Sequence, residues 1–325
     1  MFRPVKPTDR SPKRRKAGAM VQILAAAILV NLPWVPTAGA EQQSELILQA
    51  DDPLEVTVGN ERLKVRVETG GIDRPVIDPE IVARLGIKPA EILGKATLRI
   101  GRTRVLTGRN RPMTFSVAGA TQKARIFWFE GAGDDPADGT IGPWGLPQDH
   151  VEIRLGGSGT ALYQFPLFGS ASNQSWTSFK HDGGVVGLTF AVEDQGPYPI
   201  ASAAAGAAIA KAYDGVATEQ IWDETIILGI RRPVRLVKLG RPLVVGPFSI
   251  NEIAVRVRDG RDGLGSGDGI AMPVDPSDDP SEIVVTANNK KGPAPVFTFT
   301  IGRARLQQCR SVSYIKSAKE IRLAC

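Results

Sequence analysis

From Leu54 onward, apolar and polar residues alternate in short runs that Gly, Pro and Asp interrupt. A period of two over four to eight residues is the mark of half-buried strands, and few runs are long enough to show a helical period. The pattern predicts an all-β protein. Strands are expected in the first half at Leu63–Val67, Ala96–Ile100, Met113–Val117, Lys123–Phe129 and Val151–Leu155, and in the second at Val185–Val192, Thr225–Leu228, Val234–Leu239, Phe248–Val257 and Val296–Ile301. One short helix is expected in each half. The first starts at Pro79 with Asp78 as its cap and stops at Gly86; the second is the Ala-rich run from Ala203 to Tyr213, ended by Asp214-Gly215.

The order of these elements repeats. Thr140-Ile141-Gly142 and Thr300-Ile301-Gly302 both continue as T-I-G-x-x-x-L, reaching Leu146 and Leu306. Upstream of each, a strand runs into an acidic, Gly-closed turn: Glu68-Thr69-Gly70 in the first half and Glu193-Asp194-Gln195-Gly196 in the second. Self-similarity at this scale predicts a duplicated unit. Glu68 and Thr140 are 72 positions apart and Asp194 and Thr300 are 106 apart; the excess of 34 matches the Gly-, Asp- and Pro-rich stretch 258–291, which reads as a flexible insertion. The expected organisation is therefore a first lobe over 41–160, a Gly- and Ser-rich connector over 161–174, and a second lobe over 175–325.

Composition changes this picture at the ends. Lys13-Arg14-Arg15-Lys16 followed by an apolar segment to Val30 and the small-residue exit Ala38-Gly39-Ala40 reads as a signal peptide over 1–40, which predicts a periplasmic or secreted protein with no membrane span once it is removed. Seven of the 40 basic residues and one of the 34 acidic residues lie in that segment, so the remainder carries 33 of each and is neutral. Its basic residues are spread through strands, which argues against a nucleic-acid surface. An exported chain with two cysteines, Cys309 and Cys325, is expected to bridge them.

An acidic Thr-Gly turn after an alternating strand, a helix one short run later, and Asp138-Gly139-Thr140-Ile141-Gly142 before a further strand together resemble the pepsin- and retropepsin-like aspartic peptidases. The resemblance covers about residues 54–325 and implies two β-barrel lobes with the active site in the cleft between them. It also implies a reaction that needs neither metal nor cofactor: two carboxylates share one proton, the ionised one activates water, and the protonated one supports the developing oxyanion. Carried onto this chain, the dyad is Glu68 and Asp194, with Thr69, Gly70, Gln195 and Gly196 as turn and dyad support. The first turn departs from the family by having Glu in place of Asp, which moves the acid by one methylene; Gln195 stands where the family has Thr or Ser. Asp182 and Glu193 are weaker candidates.

Other signals are thinner. The segment Leu106–Met113, with Arg109 and Arg111, falls where this family places a hairpin flap. The Asp-Gly repetition over Asp259–Gly269 fits no calcium-loop spacing, and His150 and His181 lack the neighbours of a zinc site, so no metal is expected. Glu282–Ala287 resembles the energy-coupling box of TonB-dependent receptors and would offer an envelope partner an exposed strand. Two functions follow as expectations: hydrolysis of peptide bonds at Glu68 and Asp194, or capture of a peptide or partner by a cleft that has lost hydrolysis.

Overall fold

The computed structural model describes residues 45–100, 104–130, 137–169, 174–194, 196–257 and 297–325. The segment 1–40, Gln195, the insertion 258–291 and the box-like stretch 282–287 lie outside the described residues.

The first half contributes β1 (Glu45–Gln49), β2 (Leu54–Val58), β3 (Glu61–Val67), β4 (Val76–Ile77), α1 (Pro79–Arg84), β5 (Lys95–Ile100), β6 (Arg104–Val117), β7 (Ala120–Phe129), β8 (Gly139–Ile141) and β9 (His150–Arg154). The remainder is β10 (Leu162–Pro166), β11 (Thr177–His181), β12 (Gly184–Ala191), β13 (Ile200–Ala201), α2 (Ala203–Ala212), β14 (Val216–Ile227), β15 (Ile230–Val245), β16 (Phe248–Arg256), β17 (Thr298–Gly302), α3 (Arg303–Leu306), β18 (Ser311–Ile315) and β19 (Glu320–Ala324).

The duplication is visible in strand order. One sheet runs β2-β3-β8-β4-β7-β6-β5 and the other β11-β12-β17-β13-β16-β15-β14, so each strand of one has its counterpart in the other. In the first half β2 also pairs with β6, which closes a six-stranded barrel. Burial explains the sequence patterns: β3 alternates between covered and open positions, whereas β12 is buried continuously over its last four residues, where it runs parallel to β17 inside its sheet.

The helices form for the reasons their ends suggest. Asp78 Oδ1 accepts the Glu80 N–H at 2.7 Å, and Gly86 takes a φ of +63° just beyond the last turn. In α2 the Ser202 hydroxyl accepts the Ala205 N–H at 3.3 Å, and the buried face includes Ala204, Ala205, Ile209 and Ala210. Gly206 has a packing role, since a Cβ there would lie 2.3 Å from a Val255 methyl of β16. The second half holds one more helical turn than the sequence suggested. It is α3, directly after β17, and its first-half counterpart is the 3-10 turn Pro143–Gly145 after β8.

A third sheet, β1-β9-β18-β19-β10, takes strands from both halves and from the segment read as a connector, which supplies β10. It is coded by residues far apart in sequence, and no local pattern announces it. Its strands share a buried apolar cluster with both lobes, including Val151, Ile153, Val312, Tyr314 and Leu323. Cys309 and Cys325 are bridged across a separation of 16 residues, enclosing the hairpin β18–β19. A ring of this size contributes roughly 3 kcal/mol in the chain-entropy account. Reduction, or a Cys309→Ser/Cys325→Ser double variant, should lower the unfolding free energy by about that much in urea titrations; an unchanged midpoint would contradict it. Among the described residues no helix is long and apolar enough to cross a membrane.

Candidate functional site

Strand register decides which residues of the two halves correspond. In the first half Val67 pairs with Ile141, and in the second Phe190 pairs with Ile301. Both isoleucines are the centre of the repeated Thr-Ile-Gly. Glu68 therefore corresponds to Ala191, Thr69 to Val192 and Gly70 to Glu193. The matching ends of the turns agree: Val76 pairs with Thr140 and Ile200 with Thr300, which makes the second turn one residue longer than the first. Alignment on the acidic-x-Gly letters had placed Asp194-Gln195-Gly196 opposite Glu68-Thr69-Gly70, three residues later. The signal that could have found the true offset is the alternation Leu63, Val65, Val67 against Val186, Leu188, Phe190.

The two turns meet face to face, and the acid that reaches across is Glu193. Its Oε2 accepts the Thr69 N–H at 3.0 Å and the Thr69 hydroxyl at 3.1 Å, and its Oε1 accepts the Gly70 N–H at 2.7 Å. The Thr69 hydroxyl in turn accepts the Val192 N–H at 2.9 Å, so one side chain stitches both turns together. Gly70 is required here: a Cβ would stand 2.7 Å from Glu193 Oε1 and 2.8 Å from the Ala191 Cβ. Beneath them the fully buried Tyr314 donates its hydroxyl to the Phe190 carbonyl at 3.3 Å. Burial, with the Glu193 charge adding to it, pushes the Tyr314 hydroxyl far above its ordinary value.

Glu68 is buried, and its Oε1 accepts from Arg66 Nη2 at 2.8 Å, two residues back on the same face of β3. The arginine places a positive charge against the Glu68 carboxyl. Glu193 is pushed up to about 8, first by burial and then by the charge of Glu68, against the opposing hydrogen bonds from Gly70 and Thr69. Ionising both acids at once is therefore disfavoured, the burial and the mutual repulsion acting together.

Asp194 sits apart from that contact. Its Oδ1 accepts the Gly196 N–H at 2.8 Å, its carbonyl accepts the Arg303 N–H at 2.8 Å, and a Cβ on Gly302 would come within 2.6 Å of its Oδ2. It is raised to about 6 by burial, with the neighbouring Glu224 adding to the shift. Of the expected support residues, Thr69 and Gly70 are at the junction, Gly196 serves the Asp194 turn, and Gln195 is outside the described residues.

One acid absent from the sequence reading is embedded in the first turn. Asp73 is fully buried; its Oδ1 accepts the Trp144 N–H at 3.0 Å and the Ser175 hydroxyl at 2.8 Å, while its Oδ2 has no partner. It thereby joins the first turn to the 3-10 turn after β8 and to the entry of the second half. Burial raises it to about 7, and Lys316, itself lowered to about 8 by burial, partly offsets this. Beside it Gln174 Nε2 donates to the Gly70 carbonyl. The signal for Asp73 in the sequence is weak, since an acid five residues past Glu68 in a turn is ordinarily solvated.

The flap expectation is corrected. Leu106–Met113 is the middle of β6, hydrogen-bonded to β5 and β7. Arg109 lies opposite Lys95 and Trp128, and Arg111 Nη1 donates to the Lys88 carbonyl at 3.0 Å. His181 is buried with Nδ1 accepting the Gly183 N–H at 3.0 Å. His150 lies with Glu45 and Glu152 on the β1–β9 pair, their ligand-type atoms all within 4.8 Å of one another; Arg154 Nε, 3.4 Å from Glu152, shares that face. Neither a scan against protein-family models nor a search of curated proteins finds a match to this chain.

Proposed function

We propose that this is an exported envelope protein whose two aspartic-peptidase-like halves hold an extended peptide or partner strand without cleaving it. The observation that carries this reading is Ala191: at the position matching Glu68 the second half has no carboxyl, and the acid that does reach Glu68, Glu193, has both oxygens engaged by Thr69 and Gly70. A water-activating site needs a free carboxylate oxygen on each side of the water. Capture needs only open backbone. β5 and β14 end their sheets, and Val216 and Ile221 on β14 are exposed, so a strand could be added by main-chain pairing.

A second reading keeps hydrolysis of a peptide bond, favoured by the proximity of Glu68 to the raised Glu193. Incubation of the chain lacking 1–40 with a mixed peptide pool from pH 3.5 to 8, read by mass spectrometry, separates the two. Binding without cleavage is expected. Cleavage that disappears in Glu68→Gln and in Glu193→Gln would establish hydrolysis instead, and a protein that neither binds nor cleaves the pool would sink both.

A further inference from the structure

The hairpin β14–β15 ends in a two-residue turn, Leu228-Gly229, with φ of +48° and +69°. That is the twist a tight hairpin needs, and glycine adopts it freely; a branched leucine does so against steric cost. The tip of a long hairpin is ordinarily wet. Here Leu228 is only 7 % exposed and Ile230 3 %.

They are buried in the other half of the molecule. Leu228 and Ile230 cluster with Val76, Leu106 and Phe129 of the first barrel, and Ile72 and Leu98 close around them. Ile72 lies four residues past Glu68. Further down the same hairpin, the Trp222 ring packs on Tyr198 at 5.7 Å and its Nε1 donates to Glu224 at 2.6 Å, while Glu224 acts on Asp194. The hairpin therefore runs from the second acidic turn to the apolar patch behind the first, across the place where the halves meet. In the stem Glu224 faces Arg232 and Thr225 faces Arg231 across the strands, and Trp222, Ile226 and Val234 pack with Ile200 and Ala254 of the second half, so the apolar hold on the first barrel lies at the tip, from Ile227 to Ile230.

We propose that the β14–β15 hairpin is an intramolecular occupant of the groove. Leu228 fills an apolar pocket of the first barrel, and an extended peptide bearing an aliphatic side chain binds by displacing it. What sets this tip apart is its burial: Ala118-Gly119, at the β6–β7 turn, also has positive φ at both residues but is exposed, whereas Leu228 is covered by the other half. The inference rests on the binding reading above and adds what occupies the groove in the unliganded chain.

The test is Leu228→Gly, which keeps the turn geometry and removes the plug, with Leu228→Asn as a second variant that also tolerates positive φ. Amide hydrogen exchange and affinity for a fluorescein-labelled Ala-Ala-Leu-Ala-Ala peptide are measured, with Ala-Ala-Asp-Ala-Ala as its control. Expected is a loss of protection confined to 221–234 and at least a tenfold gain in affinity for the Leu peptide alone. Protection lost through both halves, or failure of both variants to fold, would make Leu228 an ordinary core residue and overturn the proposal; unchanged protection would do the same. Equal Leu-peptide affinity in variants and unaltered protein sinks the occupant while leaving the groove a binding site. No binding by any form, with exchange still confined to the hairpin, sinks the binding reading and leaves the self-occupied groove standing.

Discussion

The unfolding free energy is expected to fall as pH rises from 5 to 8.5, and Glu193→Gln is expected to flatten that slope. Glu193 is held at about 8 in the folded chain against an ordinary value of 4.5. Below the ordinary value both folded and unfolded chains carry the proton, so nothing is lost. Between the two values the unfolded chain releases its proton and the folded chain does not, and stability declines with pH until the folded value is passed. Each unit is worth about 1.4 kcal/mol, so the full effect is on the order of 5 kcal/mol. Asp73, at about 7, and Asp194, at about 6, are raised acids and act in the same direction. Lys316, lowered to about 8, has the opposite sign, but its contribution changes between that value and its ordinary 10.5, above the acids' window. Glutamine offers one acceptor oxygen to the N–H groups of Thr69 and Gly70, which leaves a donor unsatisfied at about 1–3 kcal/mol. The variant should therefore be the less stable protein at pH 5 and the more stable one above pH 8. Urea titrations at pH 5, 7 and 8.5 check this, and parallel pH slopes for the two proteins would refute it.

Gly145→Ala should abolish cooperative folding. A Cβ on Gly145 would stand 1.5 Å from the Asp73 carbonyl oxygen, a main-chain atom that cannot swing away. Relief requires moving the first turn, which carries the Asp73 bonds to Trp144 and Ser175 and, a few residues earlier, Thr69 and Gly70 at the junction of the halves. A loss above about 4 kcal/mol is expected, in the range reserved for broken cores and backbone clashes. Gly187→Ala is the matched control: its nearest atom, the Phe297 carbonyl oxygen, would lie 3.3 Å away, and a loss within about 1 kcal/mol is expected. Thermal melts followed by circular dichroism distinguish them. A Gly145→Ala protein that melts like the unaltered chain would mean that the packing beneath the first turn is loose and that Asp73 does not brace the junction.

Much of the architecture could be read from local pattern because its causes are local. Alternation placed β3, β7 and β16 to within a few residues, Asp78 and Ser202 were in position to cap their helices, and the repeated Thr-Ile-Gly announced the duplication that the matching strand orders display. The long strands β6 and β15 were found only in pieces. Charged and Gly-containing stretches such as Thr107–Arg111 interrupt their apolar pattern, and these remain strand because β5 and β7 supply partners on both sides.

The site was legible to the level of two acidic turns that meet, and Thr69 and Gly70 are where they touch. Which acid crosses was not. The letters favour Asp194, since it shares with Glu68 a glycine two residues later; the register favours Glu193, since parallel pairing of β12 with β17 extends that strand to Ala191 before the turn begins. A strand's end is set by its partner, and the partner, β17, is more than 100 residues away in sequence.

By itself, then, the order of residues determined the class of elements, the internal repeat, the caps and the bridge between Cys309 and Cys325, all of which follow from side-chain period, turn chemistry or cysteine pairing. Tertiary structure alone decided the third sheet, the exchange of Asp194 for Glu193 at the junction, the burial of Asp73, and the reach of Leu228 into the opposite barrel. Each depends on register and burial between segments distant in the chain, and a carboxyl group or a leucine acquires its energy, and hence its role, from what surrounds it once those segments are packed.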